Sequence, residues 1–544
     1  MEERYDLCPP LKIPMSFAGN FGELRQTHFH SGVDFKTNGK EGYRVYSSED
    51  GYVSRVLVSA SGYGNAVYIT HPNGLVTVYG HLRNFNSKIA KHVRILQYKN
   101  ENWQIDEVLQ KDLIKVKKGE KIGLSGNTGS SMGPHLHYEI RDVKTGDIIN
   151  PLLYFDAKDN IRPKISKLFV YSISDNAKYY EAESHKYRVV NKGQNYWLQE
   201  DTLHLSGKIG FGLKVKDFMN NSWNKFGLYS LKTYINDSLV YYYKMDRFSF
   251  SNTKCVNLVK DMKEDMLCNS KVYKTWLPIK TNLNAVKYLD KHGEVEIKEG
   301  NKYNIRIEVS DLHQNKSILK FIVKGNAPII KQKCKKIGSE LRIGKMNIVE
   351  CGQLRLEIPR GALYNNIDVD TEIYNSDDSL LYKPLVYRVG RKFIPMRKKF
   401  SVYIKVEDKF SDKKYIVRQE NQGKYSYVGG KIENGELRAK TLLLGSFAVK
   451  IDTIPPSIEP IRGYSESWLK RHTVVRFDVK DEGTGVFNYR AEINKNWVWC
   501  KYDAKKEQLI CVFKKSQLAK ENKFIVTVRD ACDNKSTYKQ NFNL

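Results

Sequence analysis

The chain has 544 residues, of which 41% are hydrophobic, and its 90 lysines and arginines outweigh 61 acidic residues to give a formal net charge of +29. Because domains usually span about 150 residues, this length predicts three or four folded domains and excludes a single hydrophobic core. The basic residues are spread along the chain without a nucleic-acid-binding motif, so they indicate either attraction to anionic polymers or a lysine-rich surface that keeps the protein soluble.

Residues 1–157 predict an antiparallel β domain. Three stretches alternate or cluster β-branched and aromatic residues as strands do, namely GYVSRVLVS (51–59), NAVYITH (65–71) and LVTVYGHL (75–82). The tetrapeptides SGYG and HPNG separate these stretches and are typical of turns. Short strands joined by tight turns favour an antiparallel sheet.

Two separated segments of this domain carry the candidate chemistry, HFHSGVDF (28–35) and GPHLHYEI (133–140). Side chains alternate between the faces of a strand, so His30 and Asp34 share a face, as do His135 and His137. If the two strands are neighbours, four polar groups converge. Catalytic zinc sites use three such ligands and leave a fourth position to water, so one group remains for chemistry. Parity also admits His28 in place of His30, and Asp34 could instead orient a histidine from behind.

The motifs H-x-x-x-D (30–34), Y-G-H-L (79–82) and G-x-T-G-x-S-x-G-P-H-L-H (126–137) occur in this order. They resemble the lysostaphin/LytM-type zinc metalloendopeptidases, which cut peptide bonds in bacterial cell-wall peptidoglycan. The resemblance extends to about residue 155 and implies a duplicated β hybrid motif that holds one Zn²⁺. The residues it implies are the zinc ligands His30, Asp34 and His137, the catalytic pair His81 and His135, and the substrate-binding residues Arg25, Asn65 and Tyr79.

Some of these assignments stay open at the level of sequence. Which of His81 and His135 acts as the base is not specified by the motifs. Arg25 either faces the substrate cleft, as the resemblance implies, or is an ordinary surface arginine.

Residues 84–115 form an insertion between His81 and the segment VKKGEKIGLSG (116–126), where the family pattern is shorter. The sequence from Val93 to Val116 predicts a hairpin followed by a short amphipathic segment. Insertions beside a site commonly form a lid or a cleft wall, and inert decoration is the alternative.

The rest of the chain predicts a string of β-sandwich domains at 158–326, 327–455 and 456–544. An internal repeat supports this interpretation, because a V-K-D strand end, an aromatic strand containing I-N and the motif D-x-x-x-N-K-S (311–317, 530–536) occur twice. The repeat predicts two immunoglobulin-like sandwiches, at 158–326 and 456–544. Between them, LRLEIPRGALYNNIDV (354–369) resembles a small β-sandwich of interaction modules, and the prolines after Asp452 predict an interdomain hinge.

The eight cysteines contain no C-x-x-C pair, which argues against metal clusters and thioredoxin chemistry. The separations 255/268, 334/351 and 500/511 suit local disulfides, with buried thiols as the alternative. The start MEERYDLCPP lacks the apolar run of a signal peptide, and no segment has the roughly 18 apolar residues of a membrane span. Since a wall hydrolase must leave the cytoplasm, we expect a periplasmic or envelope location, with a signal that was trimmed or lies upstream.

The sequence therefore predicts a zinc metalloendopeptidase that hydrolyses peptidoglycan cross-links with zinc-activated water. Its expected partners are peptidoglycan stem peptides and, through the C-terminal β-domains, envelope proteins. One alternative is a catalytically silent LytM-type regulator of a cell-wall amidase. Another is a scaffold or adhesin to which the peptidase is accessory. No bacterial SH3-type wall-binding module is recognisable, which favours the direct cross-link of a Gram-negative envelope over a polyglycine bridge.

Overall fold

The structure is a computed structural model that describes residues 7–173, 184–278, 281–327, 338–406, 411–420 and 423–543. It is mainly β, as the sequence predicts. The chain divides into two compact units, one made of Met1–Ala90 with Asp106–Lys335 and the other of Lys91–Ile105 with Lys336–Leu544.

The N-terminal domain is built from two antiparallel sheets. Its strands are Phe17–Gly19 (β1), Val33–Lys36 (β2), Arg44–Tyr46 (β3), Gly51–Val58 (β4), Asn65–Thr70 (β5), Leu75–Gly80 (β6), Asn84–Phe85 (β7), Ile105–Val108 (β8), Lys115–Val116 (β9), Lys121–Leu124 (β10), His135–Asp142 (β11) and Asp147–Ile149 (β12). The main sheet has the order β1-β2-β11-β6-β5-β4-β8, and β3, β10 and β7 form a small second sheet. Strand β11 therefore lies between β2 and β6, the strands that carry or precede the other predicted site residues.

The two faces of β11 have different chemistry. Leu136, Tyr138 and Ile140 are fully buried in the hydrophobic core. The alternate residues, His135, His137 and Glu139, lie on the opposite face, because side chains alternate along a strand. A single strand thus anchors the domain with one face and presents polar groups with the other.

The insertion has a helix directly after the short strand β7, so the predicted order of a hairpin and then an amphipathic segment is wrong. Helix α1 spans Ser87–Lys99, and Asn86 caps it by accepting a hydrogen bond from the backbone N–H of Ile89 at 3.0 Å. Ile89, Val93 and Gln97 are buried at a spacing of four residues, which is helical rather than strand periodicity. Within its unit, Gln97 Oε1 accepts a hydrogen bond of 2.8 Å from the Trp499 indole N–H.

The next domain, called the first β-domain here, follows the peptidase-like sheet within the same unit. Its strands and helices are Lys164–Ser172 (β13), Ser184–Lys192 (β14), Asn195–Leu205 (β15), Gly207–Lys216 (β16), Ser230–Ile235 (β17), Ser238–Lys244 (β18), Arg247–Ser249 (β19), Val256–Val259 (α2), Met262–Cys268 (α3), Tyr273–Lys274 (β20), Val286–Leu289 (β21), Val295–Ile297 (β22), Lys302–Ser310 (β23) and Lys316–Gly325 (β24). The strand order is β20-β16-β13-β14-β15-β24-β23-β17-β18-β21, with β15 parallel to β24. Strand β19 pairs with β12, so the two domains share a sheet.

The middle β region forms two five-stranded sheets and one strand pair. Its strands are Ser339–Leu341 (β25), Asn347–Cys351 (β26), Leu354–Ile358 (β27), Ile367–Val369 (β28), Thr371–Asn375 (β29), Leu385–Val389 (β30), Pro395–Lys405 (β31), Lys414–Gln419 (β32), Tyr425–Gly429 (β33), Lys431–Glu433 (β34), Glu436–Leu443 (β35) and Gly445–Ile451 (β36). The sheet orders are β26-β27-β31-β35-β34 and β29-β30-β36-β32-β33.

The last β-domain comprises Ser457–Pro460 (β37), Glu466–Arg471 (α4), Val474–Lys480 (β38), Val486–Ile493 (β39), Asn496–Asp503 (β40), Gln508–Val512 (β41), Glu521–Asp530 (β42) and Lys535–Asn543 (β43). The strand order is β37-β38-β41-β40-β39-β42-β43. Strands from both halves of this order contribute to one core, with Phe477 and Phe524 among its buried residues, so the sheet folds over itself. The immunoglobulin-like class of the first and last β-domains stays a prediction.

No disulfide joins cysteines of the described residues, so the predicted 255–268 and 500–511 disulfides are wrong. Cys334, of the predicted 334–351 pair, lies outside the described residues. Cys500 and Cys511 lie opposite each other on adjacent strands and are buried, which matches the alternative of buried thiols. In the described part of the chain, no helix combines the length and the apolar character needed to cross a membrane.

Candidate metal centre

Three predicted ligands meet at one point of the N-terminal domain. Asp34 on β2 and His137 on β11 are direct partners across the strand pair, and His30 comes from the loop before β2. His30 Nε2 and His137 Nδ1 lie 3.1 and 3.0 Å from Asp34 Oδ1 and 3.1 Å from each other. Two imidazole nitrogens and one carboxylate oxygen are a donor set that suits Zn²⁺ with an open fourth position.

Each of these ligands is held from behind by a second interaction. His30 donates its Nδ1–H to the carbonyl oxygen of Asn20 at 2.8 Å. Asp34 Oδ2 accepts a hydrogen bond of 3.0 Å from the Arg25 guanidinium, whereas Oδ1 faces the His30 and His137 nitrogens. Burial acts to raise the pKa of Asp34, but the neighbouring imidazoles, His30 foremost, keep this pKa well below its usual range. Such outer partners orient metal ligands and fix their protonation.

Behind His137 lies a buried network that sequence reasoning missed. The Nε2–H of His137 donates a hydrogen bond of 2.9 Å to Glu139 Oε1. Glu139 is fully buried and also accepts from the hydroxyls of Tyr63 and Ser31 and from the Arg141 guanidinium. Burial opposes ionisation, but Arg141 and the hydrogen bond from His137 keep the pKa of Glu139 low. The sequence did contain a signal for this contact, because Glu139 lies two residues after His137 and so shares its face of the strand.

His81 and His135 lie beside the ligand cluster with their rings 4.7 Å apart. His81 Nδ1 is 2.8 Å from the carbonyl oxygen of Thr128, and His135 Nδ1 is 2.8 Å from that of Gly133. Because a carbonyl can only accept, each Nδ1 carries a proton, and in the neutral ring Nε2 is the nitrogen without one. His135 Nε2 is 3.4 Å from Asp34 Oδ1, and burial together with the neighbouring histidines lowers the pKa of His81 to about 3.

The glycine-rich loop 126–133 positions the carbonyl that holds His81. Gly129 has φ +70°, and a Cβ there would lie 2.4 Å from the carbonyl oxygen of Gly62 and from the N of Gly64. This close approach brings Thr128 to the chain that follows His81, where its hydroxyl donates to the carbonyl of Leu82 at 3.0 Å. The glycine thus supports the site through backbone packing rather than through a side chain.

The three predicted substrate-binding residues lie in different environments. Arg25 is 36% exposed and pairs with Glu23 and Asp34, so it lies beside the ligands. Asn65 donates its side-chain amide to the carbonyl of Leu82 at 3.0 Å and so holds the backbone after His81. The prediction that Tyr79 binds substrate is wrong, because its side chain is fully buried on the core face of β6.

Tyr79 instead stabilises the core, where its hydroxyl accepts a hydrogen bond of 2.8 Å from the backbone N–H of Ser48. The rival ligand His28 is exposed and lies outside the ligand cluster, next to Thr27. His71 is a buried structural residue whose ring contacts the Asp50 carbonyl and the Thr77 hydroxyl.

Comparison with known proteins agrees with this geometry. The model of Peptidase family M23 matches residues 28–98 and 103–151, and that of the Zu5-like domain matches residues 339–452. The N-terminal domain of the chain is therefore a Peptidase family M23, LytM-type domain.

Similar proteins include an uncharacterized metalloprotease of Haemophilus influenzae, 38% identical over 158 residues that cover 27% of this chain and 26% of that protein. The peptidoglycan DD-endopeptidase ShyA of Vibrio cholerae is 38% identical over 112 residues, 20% of each chain. The solved catalytic domain of EnpA from Enterococcus faecalis is 26% identical, with a TM-score of 0.21, over 27% of this chain and 98% of that one. The chain thus spans about a quarter of the length of the curated relatives it matches.

Proposed function

We propose that this chain is a zinc metalloendopeptidase that hydrolyses peptide cross-links of bacterial peptidoglycan. The observation that carries the proposal is the convergence of His30, Asp34 and His137 with two further histidines, His81 and His135, whose Nδ1 atoms contact backbone carbonyls. A regulator without catalysis requires neither of these two histidines, so their presence favours the enzyme over a silent amidase regulator.

The three ligands would hold the Zn²⁺ through His30 Nε2, Asp34 Oδ1 and His137 Nδ1. Bound there, Zn²⁺ would supply Lewis-acid chemistry and would activate the attacking water. The buried Glu139 keeps the His137 ring in one orientation and increases its basicity. Arg25 holds Asp34 so that only one carboxylate oxygen faces the metal.

His135 and His81 carry out the proton transfers. One Nε2 takes a proton from the attacking water, and this proton is then passed to the leaving peptide nitrogen as the C–N bond breaks. The carbonyl oxygens of Gly133 and Thr128 hold the two rings in the tautomer that this role requires.

We infer that the substrate is the stem-peptide cross-link of an envelope outside the cytoplasm. A relative named as a peptidoglycan DD-endopeptidase supports the direct cross-link over a polyglycine bridge. The net charge of +29 favours association with an anionic polymer. The C-terminal β-domains, which include a Zu5-like match, are candidates for binding envelope proteins.

Mass spectrometry of muropeptides released from purified sacculi tests the proposal. We expect wild-type protein to convert cross-linked dimers to monomers, and His135→Ala to abolish this conversion while it retains bound zinc. The matched control is His28→Ala, which removes an exposed histidine outside the ligand cluster and should leave cleavage unchanged. Absence of peptide-bond cleavage by zinc-loaded wild type, or full cleavage by His135→Ala, would contradict the assignment.

A further inference from the structure

Three aspartates converge at the start of the first β-domain. Asp159 belongs to the segment that enters the domain, Asp217 follows β16 directly and Asp311 follows β23 directly. Asn315 ties two of them together, because its side-chain amide donates to the backbone carbonyl of Asp159 at 3.1 Å and to Asp311 Oδ2 at 2.6 Å. The entering segment and two strand ends are therefore held around one point.

The last β-domain repeats this arrangement. Asp452 belongs to the entering segment, Asp481 follows β38 directly and Asp530 ends β42. Asn534 donates its amide to the backbone carbonyl of Asp452 at 2.9 Å and to Asp530 Oδ2 at 2.6 Å. One oxygen from each of these three carboxylates lies within 4.8 Å of the others. In the first β-domain the corresponding close group of ligand atoms comes from Asp159, Asp311 and His313, and Asp217 lines the adjoining cavity with the two aspartates. The repeat found in the sequence thus conserves the asparagine-bridged pair of aspartates as well as a motif.

In the first cluster, one carboxylate oxygen has no partner. Asp217 is 3% exposed, and its Oδ1 is buried without a hydrogen-bond partner among the residues that the structure describes. With Asp159 and Asp311 it lines a cavity of about 20 Å³, which is room for roughly one water-sized group. Burial, then the charges of Asp311 and Asp159, raise the pKa of Asp217 well above its usual range.

An anionic group in this position needs a positive charge. A buried carboxylate is stable only when it is paired, protonated or bound to a metal. The other charged groups that act on Asp217 are the two aspartates, which repel it. The exposed ring of His313 has a nitrogen within 4.8 Å of oxygens of Asp159 and Asp311, but it lies on the solvent side.

We propose that each cluster binds one Ca²⁺, which joins the entering segment of each β-domain to two of its strand ends. The three carboxylates supply hard oxygen ligands, which alkaline-earth cations prefer over transition metals. Ca²⁺ accepts irregular coordination, whereas Mg²⁺ demands near-ideal octahedral geometry and retains its waters. The irregular mixture of strand-end and linker carboxylates therefore favours Ca²⁺. The bound ion would stiffen both entry segments, including the predicted hinge after Asp452.

Calcium titration of the zinc-saturated full chain by calorimetry tests this assignment. We expect two Ca²⁺ per chain, one fewer for Asp217→Asn or Asp530→Asn, and none for the double variant. Tb³⁺ provides a second readout, because Tyr229 lines the first cavity and Tyr415 lies near Asp452, so excitation of tyrosine should sensitise bound Tb³⁺. Asp237→Asn is the matched control, since its carboxylate is 91% exposed on the first β-domain.

Thermal unfolding separates loss of the site from loss of the fold. In chelator, Asp217→Asn should unfold at a higher temperature than wild type, because it removes repulsion among three carboxylates. Added Ca²⁺ should raise the unfolding temperature of wild type but not that of the Asp217→Asn, Asp530→Asn double variant. His313→Ala should bind as wild type does.

Four results would overturn the proposal. The first is absence of saturable Ca²⁺ binding by wild type, and the second is unchanged stoichiometry in both aspartate variants. The third is stronger binding of Mg²⁺ than of Ca²⁺, and the fourth is loss of binding in His313→Ala. Either of the last two would reject a calcium site made of oxygen ligands.

Discussion

Replacing Glu139 with glutamine tests how strongly the buried carboxylate behind the metal centre supports His137. The change keeps the shape of the side chain and removes its charge. Glu139 Oε1 is 2.9 Å from His137 Nε2 and the side chain is fully buried, so solvent does not screen the interaction. Loss of such a partner typically weakens metal affinity by about 10- to 100-fold. Since tenfold corresponds to about 1.36 kcal/mol, we expect a loss of about 1.4–2.7 kcal/mol in zinc binding.

The assay is competition for zinc against a chromogenic chelator, followed by peptidoglycan cleavage at saturating zinc. The variant also leaves Arg141 without its charged partner, so thermal unfolding must confirm that the protein is folded. Glu41→Gln is the control, because Glu41 is exposed and outside the site. A folded Glu139→Gln protein with wild-type zinc affinity would refute the reasoning that this carboxylate orients and polarises His137.

The remaining predictions concern residues around the same site. Tyr79→Phe should destabilise the protein by about 1–3 kcal/mol in urea unfolding, because it leaves buried polar groups at Ser48 unpaired. The KM for substrate should not change. A raised KM without destabilisation would restore the substrate-binding role. Gly129→Ala should lower kcat at least tenfold, because a Cβ would lie 2.4 Å from the carbonyl oxygen of Gly62 and displace the Thr128 carbonyl that holds His81. Gly146→Ala is the control, because Gly146 has a similarly positive φ with open space around it. Equal activity of the two variants would contradict this role. Removal of metal with a chelator should abolish cleavage, and one equivalent of Zn²⁺ should restore it; cleavage that persists without metal would exclude the proposed mechanism.

Motif spacing predicted that His30, Asp34 and His137 lie together, because short-range periodicity and the order of the motifs indicate which side chains share a face. His135, His137 and Asp34 lie on strands, so alternation along a strand applied to them. His30 precedes β2, and only its H-x-x-x-D spacing distinguished it from His28. The sequence could not show that the Tyr79 side chain faces the core. Tyr79 belongs to the same motif as His81, but the face to which its side chain points depends on its packing against Tyr138 on another strand.

Other parts depended on contacts between distant segments. The helix Ser87–Lys99 was misread because its buried stripe of Ile89, Val93 and Gln97 ends in a polar residue. The burial of Gln97 is explained by Trp499, about four hundred residues away, and no local pattern could reveal it. The same holds for the aspartate clusters, in which the sequence repeat was visible but the convergence of Asp217 with Asp159 and Asp311 was not.

The central claim is that one zinc ion is bound by two imidazoles and one carboxylate of the N-terminal domain. Anomalous X-ray diffraction from crystals of the zinc-loaded chain, recorded on both sides of the zinc absorption edge, tests it most directly. The account predicts a single strong peak at about 2.0–2.2 Å from His30 Nε2, Asp34 Oδ1 and His137 Nδ1. A zinc peak elsewhere, or no peak among these three atoms, would contradict it.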